Sequence, residues 1–219
     1  MNIEPGWVLD AARVEVWSLA FDEDEDASLF AVLDVAEQAQ AMRMRAGAVR
    51  HNFIKARTAL RCLLARYLGI LPSQVVLHLN AYGKPSLAGG ALRFNLSHTR
   101  GLALYAITRD RELGVDVEWM DAAIDWQAVA PTVFTAGEIH QLANRSDFFT
   151  AWARKEALLK GLGTGFGTPD APSSAEGWTI RDLEVGSDCK AALAVHGSAA
   201  FQIIQRPLDA DLLFRLQQP

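Results

Sequence analysis

The chain has 219 residues, of which 50% are hydrophobic and 21% are charged, so it can bury a full core and is not globally disordered. Its formal net charge of -5 argues against a nucleic-acid-binding protein, for which a basic surface is expected. We find no apolar run long enough to span a membrane and no secretory signal pattern before Asp10. Cys62 and Cys189 lie far apart without metal-ligand spacing, which favours a reducing, cytoplasmic location.

The first half of the chain predicts a mixture of strands and helices. Residues 14–21 alternate in polarity and predict a strand, and residues 28–46 predict a helix capped by its first serine. A second helix is predicted over 49–68, where Gly69 occupies the C-cap position. Further strands are predicted over 75–79, 92–96 and 102–108.

The second half continues the mixture. The segment 113–119 predicts a strand, and the segments 136–144 and 148–160 predict helices. The tail, residues 178–216, predicts mostly short strands with polar turns. Because strands do not alternate strictly with helices, the pattern indicates an α+β fold rather than a doubly wound sheet.

One arginine lies where the pattern of a helix calls for an apolar residue. At about 100° per residue, the apolar side chains of the 49–68 helix form one continuous arc. Arg57 falls inside this arc, between Leu64 and Leu68. A buried guanidinium has to be paired, either in a structural ion pair or with a ligand phosphate, whose geometry matches the guanidinium fork. Both interpretations stay open on this observation alone.

Two carboxylates share one face of the strand 113–119. Side chains alternate along a strand, so Asp116 and Glu118 point to one side, and Val115, Val117 and Trp119 point to the other. Like charges at this spacing repel unless a cation or water separates them. Mg²⁺ prefers oxygen ligands of this kind. The segment therefore predicts either a magnesium site or a strand with an ordinary solvent-facing side.

The last predicted helix carries charges on its aromatic face. On a helical wheel, Glu156 lies between Trp152 and Phe149, and Lys155 and Lys160 flank the same face. Folding alone favours apolar residues there, and such local rules tend to fail at functional sites. The alternative is that Glu156 and Lys160, four residues apart, form a helical ion pair.

Two further features have simpler interpretations. Glycines follow the last helix at alternate positions: Gly161, Gly163, Gly165 and Gly167. Since they follow a helix instead of preceding one, they indicate a C-cap and not a phosphate-binding loop. Ser97 and His98 are adjacent on a strand and therefore point to opposite faces, and no GxSxG motif is present, so a serine hydrolase is excluded. Both residues end a strand, where they could reach a ligand phosphate.

Five short motifs follow one another along the chain: Gly83-Lys84-Pro85, Phe94-Asn95-Leu96-Ser97-His98, Gly114-Val115-Asp116-Val117-Glu118, Phe134-Thr135-Ala136-Gly137-Glu138 and Trp152-Ala153-Arg154-Lys155-Glu156-Ala157-Leu158-Leu159-Lys160. No single motif is decisive, whereas all five in this order are specific. The series resembles the 4'-phosphopantetheinyl transferase superfamily, and within it the surfactin-synthetase-activating (Sfp) type. The resemblance covers roughly residues 50 to 165.

This resemblance implies a fold and an activity. The fold would consist of two similar α+β halves, residues 1–109 and 110–219, related by a pseudo-twofold axis with the cofactor cleft between them. The enzyme would transfer 4'-phosphopantetheine from coenzyme A to a serine hydroxyl of an acyl or peptidyl carrier protein. The reaction would need Mg²⁺ and release adenosine 3',5'-bisphosphate. A monomer is expected, since one chain holds both halves.

The resemblance also implies roles for individual residues. Asp116, Glu118 and Glu156 would hold Mg²⁺. Glu156 or a metal-bound water would take the proton from the carrier serine, Lys160 would neutralise phosphate charge, and His98 would complete the catalytic group. The residues expected to contact coenzyme A are Arg57 at the 3'-phosphate, Lys84, Pro85, Ser97 and His98 at its phosphates or adenosine, and Lys155 and Lys160 at the pyrophosphate.

Two other classes of protein remain as alternatives. A carboxylate-metal nuclease also clusters Asp, Glu and Lys, but the acidic chain has no interleaved basic and aromatic groove. A non-enzymatic relative could only bind coenzyme A or a carrier protein, although all three expected metal ligands are present here. Turnover that depends on Mg²⁺ separates this second alternative from the transferase.

Overall fold

The computed structural model describes residues 7–21, 27–164 and 175–217. Within these ranges the chain is a mixed α+β fold, as predicted. Its helices are α1 (Ser28–Val32), α2 (Val35–Arg43), α3 (Ala48–Leu68), α4 (Trp126–Val133), α5 (Ala136–Ile139), α6 (Arg145–Leu162) and α7 (Ala210–Gln217). Its strands are β1 (Arg13–Ala20), β2 (Leu77–Leu79), β3 (Pro85–Leu87), β4 (Arg93–Thr99), β5 (Leu102–Thr108), β6 (Leu113–Trp119), β7 (Trp178–Leu183), β8 (Cys189–His196) and β9 (Gln202–Pro207). No helix in the described ranges is long and apolar enough to cross a membrane.

The strands form two main sheets and a small hairpin. The first sheet has the order β4-β5-β1-β9, the second has the order β6-β8-β7, and β2 pairs with β3. All pairs are antiparallel except that of β1 with β9, which is parallel. Among the described strands, the last in sequence therefore joins the first.

The core is arranged in four layers. Helix α3 packs on one face of the first sheet, where Leu60 and Leu63 meet Tyr105 and other buried residues. The opposite face of that sheet packs on the second sheet, with Val16 and Val115 in one buried cluster. The outer face of the second sheet is covered by α6, through a cluster of small residues and one leucine: Ala153, Ala157, Leu158, Ala192 and Ala194. Small side chains allow a close approach of helix and sheet, so α6 lies near β6.

Side chains also join the two sheets at their edges. Three backbone N–H groups of β6 donate to side-chain oxygens of β4: Val115 to Asn95 at 2.9 Å, Val117 to Ser97 at 3.4 Å and Trp119 to Thr99 at 3.2 Å. The three donors on β6 and the three acceptors on β4 each lie two residues apart, which is the period of a strand. We call Asn95, Ser97 and Thr99 the β4 clasp. The β4 clasp gives the backbone N–H groups at the edge of β6 hydrogen-bond partners, although the two strands do not pair through their backbones. It also fixes the position of β4 along β6.

The structure differs from the predicted elements in the N-terminal region. The single helix expected over 28–46 is two helices, because Asp34 breaks it and caps α2 in a capping box with Glu37. Gly69 ends α3 in the left-handed conformation, as predicted. The strand expected over 75–79 is shortened to β2 by a preceding 3-10 turn.

The C-terminal region shows three further differences. The helix expected over 136–144 ends after α5, and Asn144 instead caps α6, which begins earlier and extends further than predicted. Gly161 lies inside α6, Gly163 is its left-handed C-cap, and Gly165 and Gly167 fall outside the described residues. The tail predicted as short strands ends in α7, whose leucines at 213 and 216 are buried.

Candidate active site

Two glycines allow β6 and α6 to approach closely. A Cβ on Gly114 would lie closer than 3.0 Å to the backbone of Ala157 and Gly161. A Cβ on Gly161 would lie closer than 3.0 Å to the ring of Trp178. Only glycine fits at either position. The approach brings the face of β6 that carries its two carboxylates against the charged side of α6.

Asp116, Ser97 and Lys160 form one hydrogen-bonded cluster. The ammonium of Lys160 donates to Asp116 Oδ1 at 2.6 Å and to Ser97 Oγ at 2.8 Å. The Ser97 hydroxyl donates to the same Asp116 Oδ1 at 2.8 Å. Asp116 is 2% exposed, so its charge is compensated inside the protein by the lysine. Among the described ion pairs, Lys160 is paired with Asp116 and not with Glu156 on its own helix.

The other half of the Asp116 carboxylate is unsatisfied. Its Oδ2 is buried and has no hydrogen-bond partner among the described residues. The nearby carboxyls of Glu118 and Glu156 are partly buried. Burial, followed by the charge of Asp116, raises the pKa of Glu118 to about 7, and the same two causes raise the pKa of Glu156 to about 7. The site therefore holds more negative charge than Lys160 alone compensates.

These carboxylates fit a hard divalent cation. Their oxygen atoms are the type of ligand that Mg²⁺ prefers. A bound cation would give the unpartnered Asp116 Oδ2 a ligand to contact and would reduce the repulsion among the carboxyls. Within the described ranges, however, no three His, Cys, Asp or Glu side chains are close enough together to hold a metal ion, so Asp116, Glu118 and Glu156 do not form a complete ligand set in this structure. Mg²⁺ commonly binds one or two protein carboxylates and keeps water or substrate phosphate in its other positions.

His98 and Arg57 extend the positive side of the site. The His98 side chain is exposed, opposite in direction to the buried Ser97, as the alternation of β4 predicted. Desolvation lowers the pKa of His98, and the cations Lys160 and Arg57 lower it further. Arg57 is partly buried, with its guanidinium 5.7 Å from the Phe53 ring centroid, and it makes no ion pair with a described residue. Both cations therefore act on His98, but Lys160 is already paired with Asp116, whereas Arg57 has no carboxylate partner among the described residues.

The fully buried arginine of α3 is Arg61, which the sequence analysis did not single out. It is 0% exposed. Its guanidinium contacts Asp34, donates to Glu37 at 2.6 Å and donates to the carbonyl of Val75 at 2.9 Å. The structural ion pair considered for Arg57 thus belongs to the residue one turn later. Arg61 is selected by Asp34 and Glu37, the two acidic residues of the α2 capping box. A helical wheel of α3 alone does not include these partners, so it could not point to Arg61.

Lys84 and Pro85 line a cavity together with residues of β4, α6 and β8. The cavity has a volume of about 430 Å³ and reaches Gly161, next to Lys160. The ammonium of Lys84 donates to the carbonyls of Leu113 at 3.2 Å and Gly161 at 2.8 Å. Burial lowers the pKa of Lys84. Lys84 thus ties the β3 region to the start of β6 and the end of α6.

Lys155 faces away from the carboxylate cluster. Its ammonium lies 3.4 Å from Glu138 and 5.3 Å from the centroid of the Phe134 ring. Glu138 belongs to the capping box of α5. Lys155 therefore connects α6 to α5, on the flank opposite to Lys160.

Comparisons with known proteins identify the family. A sequence model of the 4'-phosphopantetheinyl transferase superfamily matches residues 112–204. The chain is 33% identical over 217 residues to the 4'-phosphopantetheinyl transferase HetI of Nostoc sp.. The aligned region covers 88% of this chain and 92% of that protein. It is 30% identical over 160 residues to a putative 4'-phosphopantetheinyl transferase of Synechocystis sp., covering 69% and 65%. It is 36% identical over 110 residues to the 4'-phosphopantetheinyl transferase AcpT of Salmonella typhimurium, covering 47% and 56%.

The likeness to HetI extends over nearly the full length of both chains, and the superfamily match includes β6 and α6. The chain belongs to the 4'-phosphopantetheinyl transferase family. It is an enzyme of that class.

Proposed function

We propose that this transferase moves 4'-phosphopantetheine from coenzyme A to a serine hydroxyl of an acyl or peptidyl carrier protein, with Mg²⁺, and that it is of the surfactin-synthetase-activating type. The observation that carries the proposal is the group formed by Asp116, Glu118, Glu156 and Lys160, where β6 meets α6. Phosphoryl transfer requires mainly positioning, a metal and positive charge on phosphate oxygens. This group offers the metal ligands and the charge.

In the proposed reaction, the carrier serine oxygen bonds to the phosphorus that bears the pantetheine. The bond from that phosphorus to the oxygen bridging to the adenosine side breaks, and adenosine 3',5'-bisphosphate leaves with the electron pair. Glu156 or a neighbouring water accepts the serine proton as general base. Lys160 stabilises the negative charge on the transferred phosphate.

Asp116, Glu118 and Glu156 are the proposed ligands of Mg²⁺. The buried Oδ2 of Asp116 and the raised pKa of both glutamates support this assignment. When bound, the cation would neutralise the diphosphate of coenzyme A. The three side chains would hold the cation on the side of β6 that faces α6.

The proposed contacts of coenzyme A follow the positive side of the site. Arg57, which has no protein carboxylate as partner among the described residues, is assigned to the 3'-phosphate. The charges of Lys160 and Arg57 both lower the pKa of His98. This proximity to two cations supports its assignment to the phosphates and to catalysis. Lys84 and Pro85 line the cavity, and Lys160 follows it on α6 next to Gly161. Lys155 is assigned to the pyrophosphate by resemblance alone, since its ammonium lies against Glu138 on the other flank of α6. Ser97, assigned to coenzyme A by resemblance, uses its hydroxyl on Asp116 and Lys160.

We also infer two halves, divided between Arg109 and Asp110 and related by a pseudo-twofold axis. In support, each half packs one long helix on its own sheet, α3 on the first and α6 on the second. β9 and α7 are the exception, since they belong to the second half in sequence but pack with the first. We further propose a monomer in the cytoplasm, where the free cysteines Cys62 and Cys189 remain reduced.

Intact-protein mass spectrometry tests the proposed activity. Several apo carrier proteins are incubated with the enzyme, coenzyme A and Mg²⁺, with and without chelator. We expect a gain of one phosphopantetheinyl group that chelator abolishes, and the rank order of carriers indicates the partner. Coenzyme A binding without modification of any carrier would instead support a binding protein and contradict the proposal.

A further inference from the structure

Every hydrogen-bonding group of the Ser97 hydroxyl is used inside the protein. A hydroxyl has one proton and two lone pairs. Ser97 donates its proton to Asp116 Oδ1, and it accepts from the Lys160 ammonium and from the backbone N–H of Val117. The residue is 5% exposed. A ligand phosphate would have to displace one of these partners to reach the hydroxyl.

The same contacts make the two oxygens of Asp116 different. Oδ1 accepts from both Ser97 and Lys160, whereas the buried Oδ2 has no partner among the described residues. Terminal carboxyl torsions are broad, so a carboxylate needs such contacts to hold one orientation. Ser97 is itself held in place by the β4 clasp, which fixes the height of β4 against β6.

We propose that Ser97 is a positioning residue of the metal site: its hydroxyl orients the Asp116 carboxylate and the Lys160 ammonium, so that Asp116 Oδ2 stays available to a divalent cation. This inference rests on the proposed function and adds a residue to it. Ser97 acts through Asp116, and not on coenzyme A as the family resemblance implies. Neighbours of metal ligands that orient them in this way commonly change metal affinity about 10- to 100-fold when they are removed.

Thr99 offers a matched control. It lies two residues further along β4, and its hydroxyl oxygen accepts from the Trp119 backbone N–H at 3.2 Å. This bond joins β4 to β6 as the Ser97 bond to Val117 does. No described contact links Thr99 to Asp116 or Lys160. Thr99→Val therefore removes a bond of the β4 clasp and leaves the carboxylate cluster intact.

The experiment measures Mn²⁺ binding to the enzyme without substrate, by electron paramagnetic resonance of the free ion, together with kcat and the KM for coenzyme A. We expect Ser97→Ala to weaken Mn²⁺ binding about 10-fold or more. Its kcat should fall while the KM for coenzyme A changes little. Ser97→Thr keeps the hydroxyl and should restore most of the affinity. Thr99→Val should bind Mn²⁺ like the wild type.

Three results would overturn the inference. Unchanged Mn²⁺ binding by Ser97→Ala with a raised KM for coenzyme A would mean that the hydroxyl acts on the cofactor. Equal losses in Ser97→Ala and Thr99→Val would mean that it only joins the sheets. No Mn²⁺ binding by the wild type would overturn the metal site itself, a failure distinct from the other two. If Ser97→Ala does not fold, Ser97→Cys, which has a weaker donor of similar size, replaces it with the same expected order.

Discussion

Gly114 and Gly161 oppose each other where β6 and α6 come closest, and neither position has room for a Cβ. A methyl group on Gly114 would meet backbone atoms of α6, which move only with the whole helix. Since α6 carries Glu156 and Lys160, we expect Gly114→Ala to lower stability and to reduce kcat together. Overpacking of this kind costs about 1–3 kcal/mol. Urea unfolding and turnover measured on the same preparations check both effects.

Gly137→Ala is the control for this substitution. Gly137 lies in α5, and an added Cβ would meet no atom within 4 Å. We expect its stability to be unchanged or slightly higher, because alanine favours a helix over glycine by about 1 kcal/mol. If Gly114→Ala were equally well tolerated, the close approach of β6 and α6 would not determine the geometry of the site.

Glu156→Gln should separate activity from stability. The substitution removes the proposed base and metal ligand, so we expect kcat to fall by about 10²–10⁴-fold. It also removes a charge that is penalised by burial and by Asp116, so the melting temperature should stay the same or rise. Glu176→Gln, at an exposed position, is the control and should change neither quantity. A Glu156→Gln enzyme with near-normal kcat would contradict both assigned roles.

The stability of the metal-free enzyme should depend on pH in a defined direction. The pKa values of Glu118 and Glu156 are raised in the folded state, to about 7 for each, from ordinary values of 4.5. Groups of this kind favour the folded state below their unfolded pKa, and this contribution is lost as pH rises through the folded pKa. We therefore expect the carboxyl contribution to stability to decline between about pH 4.5 and pH 7.

Mg²⁺ should reverse this decline, because it binds the ionised carboxylates. The melting temperature is measured with and without Mg²⁺ at about pH 6 and about pH 8. The increase caused by Mg²⁺ should be larger at the higher pH. A variant with Glu118→Gln and Glu156→Gln should show a flatter pH profile and a smaller response to Mg²⁺. A response to Mg²⁺ that is equal at both pH values would contradict the assignment of these carboxyls.

Arg57 and Arg61 lie one helical turn apart, but their substitution should affect different quantities: the KM for coenzyme A for Arg57, and stability for Arg61. Arg57→Ala should raise the KM for coenzyme A with little loss of stability, since Arg57 is ion-paired to no described residue. Arg61→Ala leaves the carboxylates of Asp34 and Glu37 without their cation. Asp34 is exposed, but Glu37 is buried, and breaking the buried pair of Arg61 with Glu37 costs about 3–5 kcal/mol. Denaturant unfolding and steady-state kinetics of both variants test this division, and a stable Arg61→Ala protein would contradict it.

Local periodicity was sufficient to predict the elements that carry the site. The alternation of β6 placed Asp116 and Glu118 on one face, and the structure confirms that Val115 and Val117 face the core between the sheets. The charged side of α6 was also predicted, because its charges broke the apolar pattern. Both signals repeat within one element, which is why a sequence can reveal them.

Contacts between distant elements could not be predicted in this way. The sequence favoured Arg57 as the buried arginine, whereas Asp34 and Glu37, on another helix, select Arg61. Lys160 likewise pairs with Asp116, and not with Glu156 on the same helix, which the sequence left open as the alternative. Leucines at helical spacing did mark α7, but the neighbouring strands of the tail obscured that signal. In each case the partner that decides lies far away in the sequence.

The pairing of β9 with β1 has a consequence for synthesis of the protein on the ribosome. Until residues 202–207 have emerged, β1 is an edge strand with unpaired backbone groups. The residues of α7 that cover α3 emerge later still. Although domains commonly fold in the order in which they are translated, the first sheet and the packing around α3 remain incomplete until β9 and α7 have been made. Protection from premature association therefore has to come from elsewhere, whether from a chaperone or from fast completion of the chain.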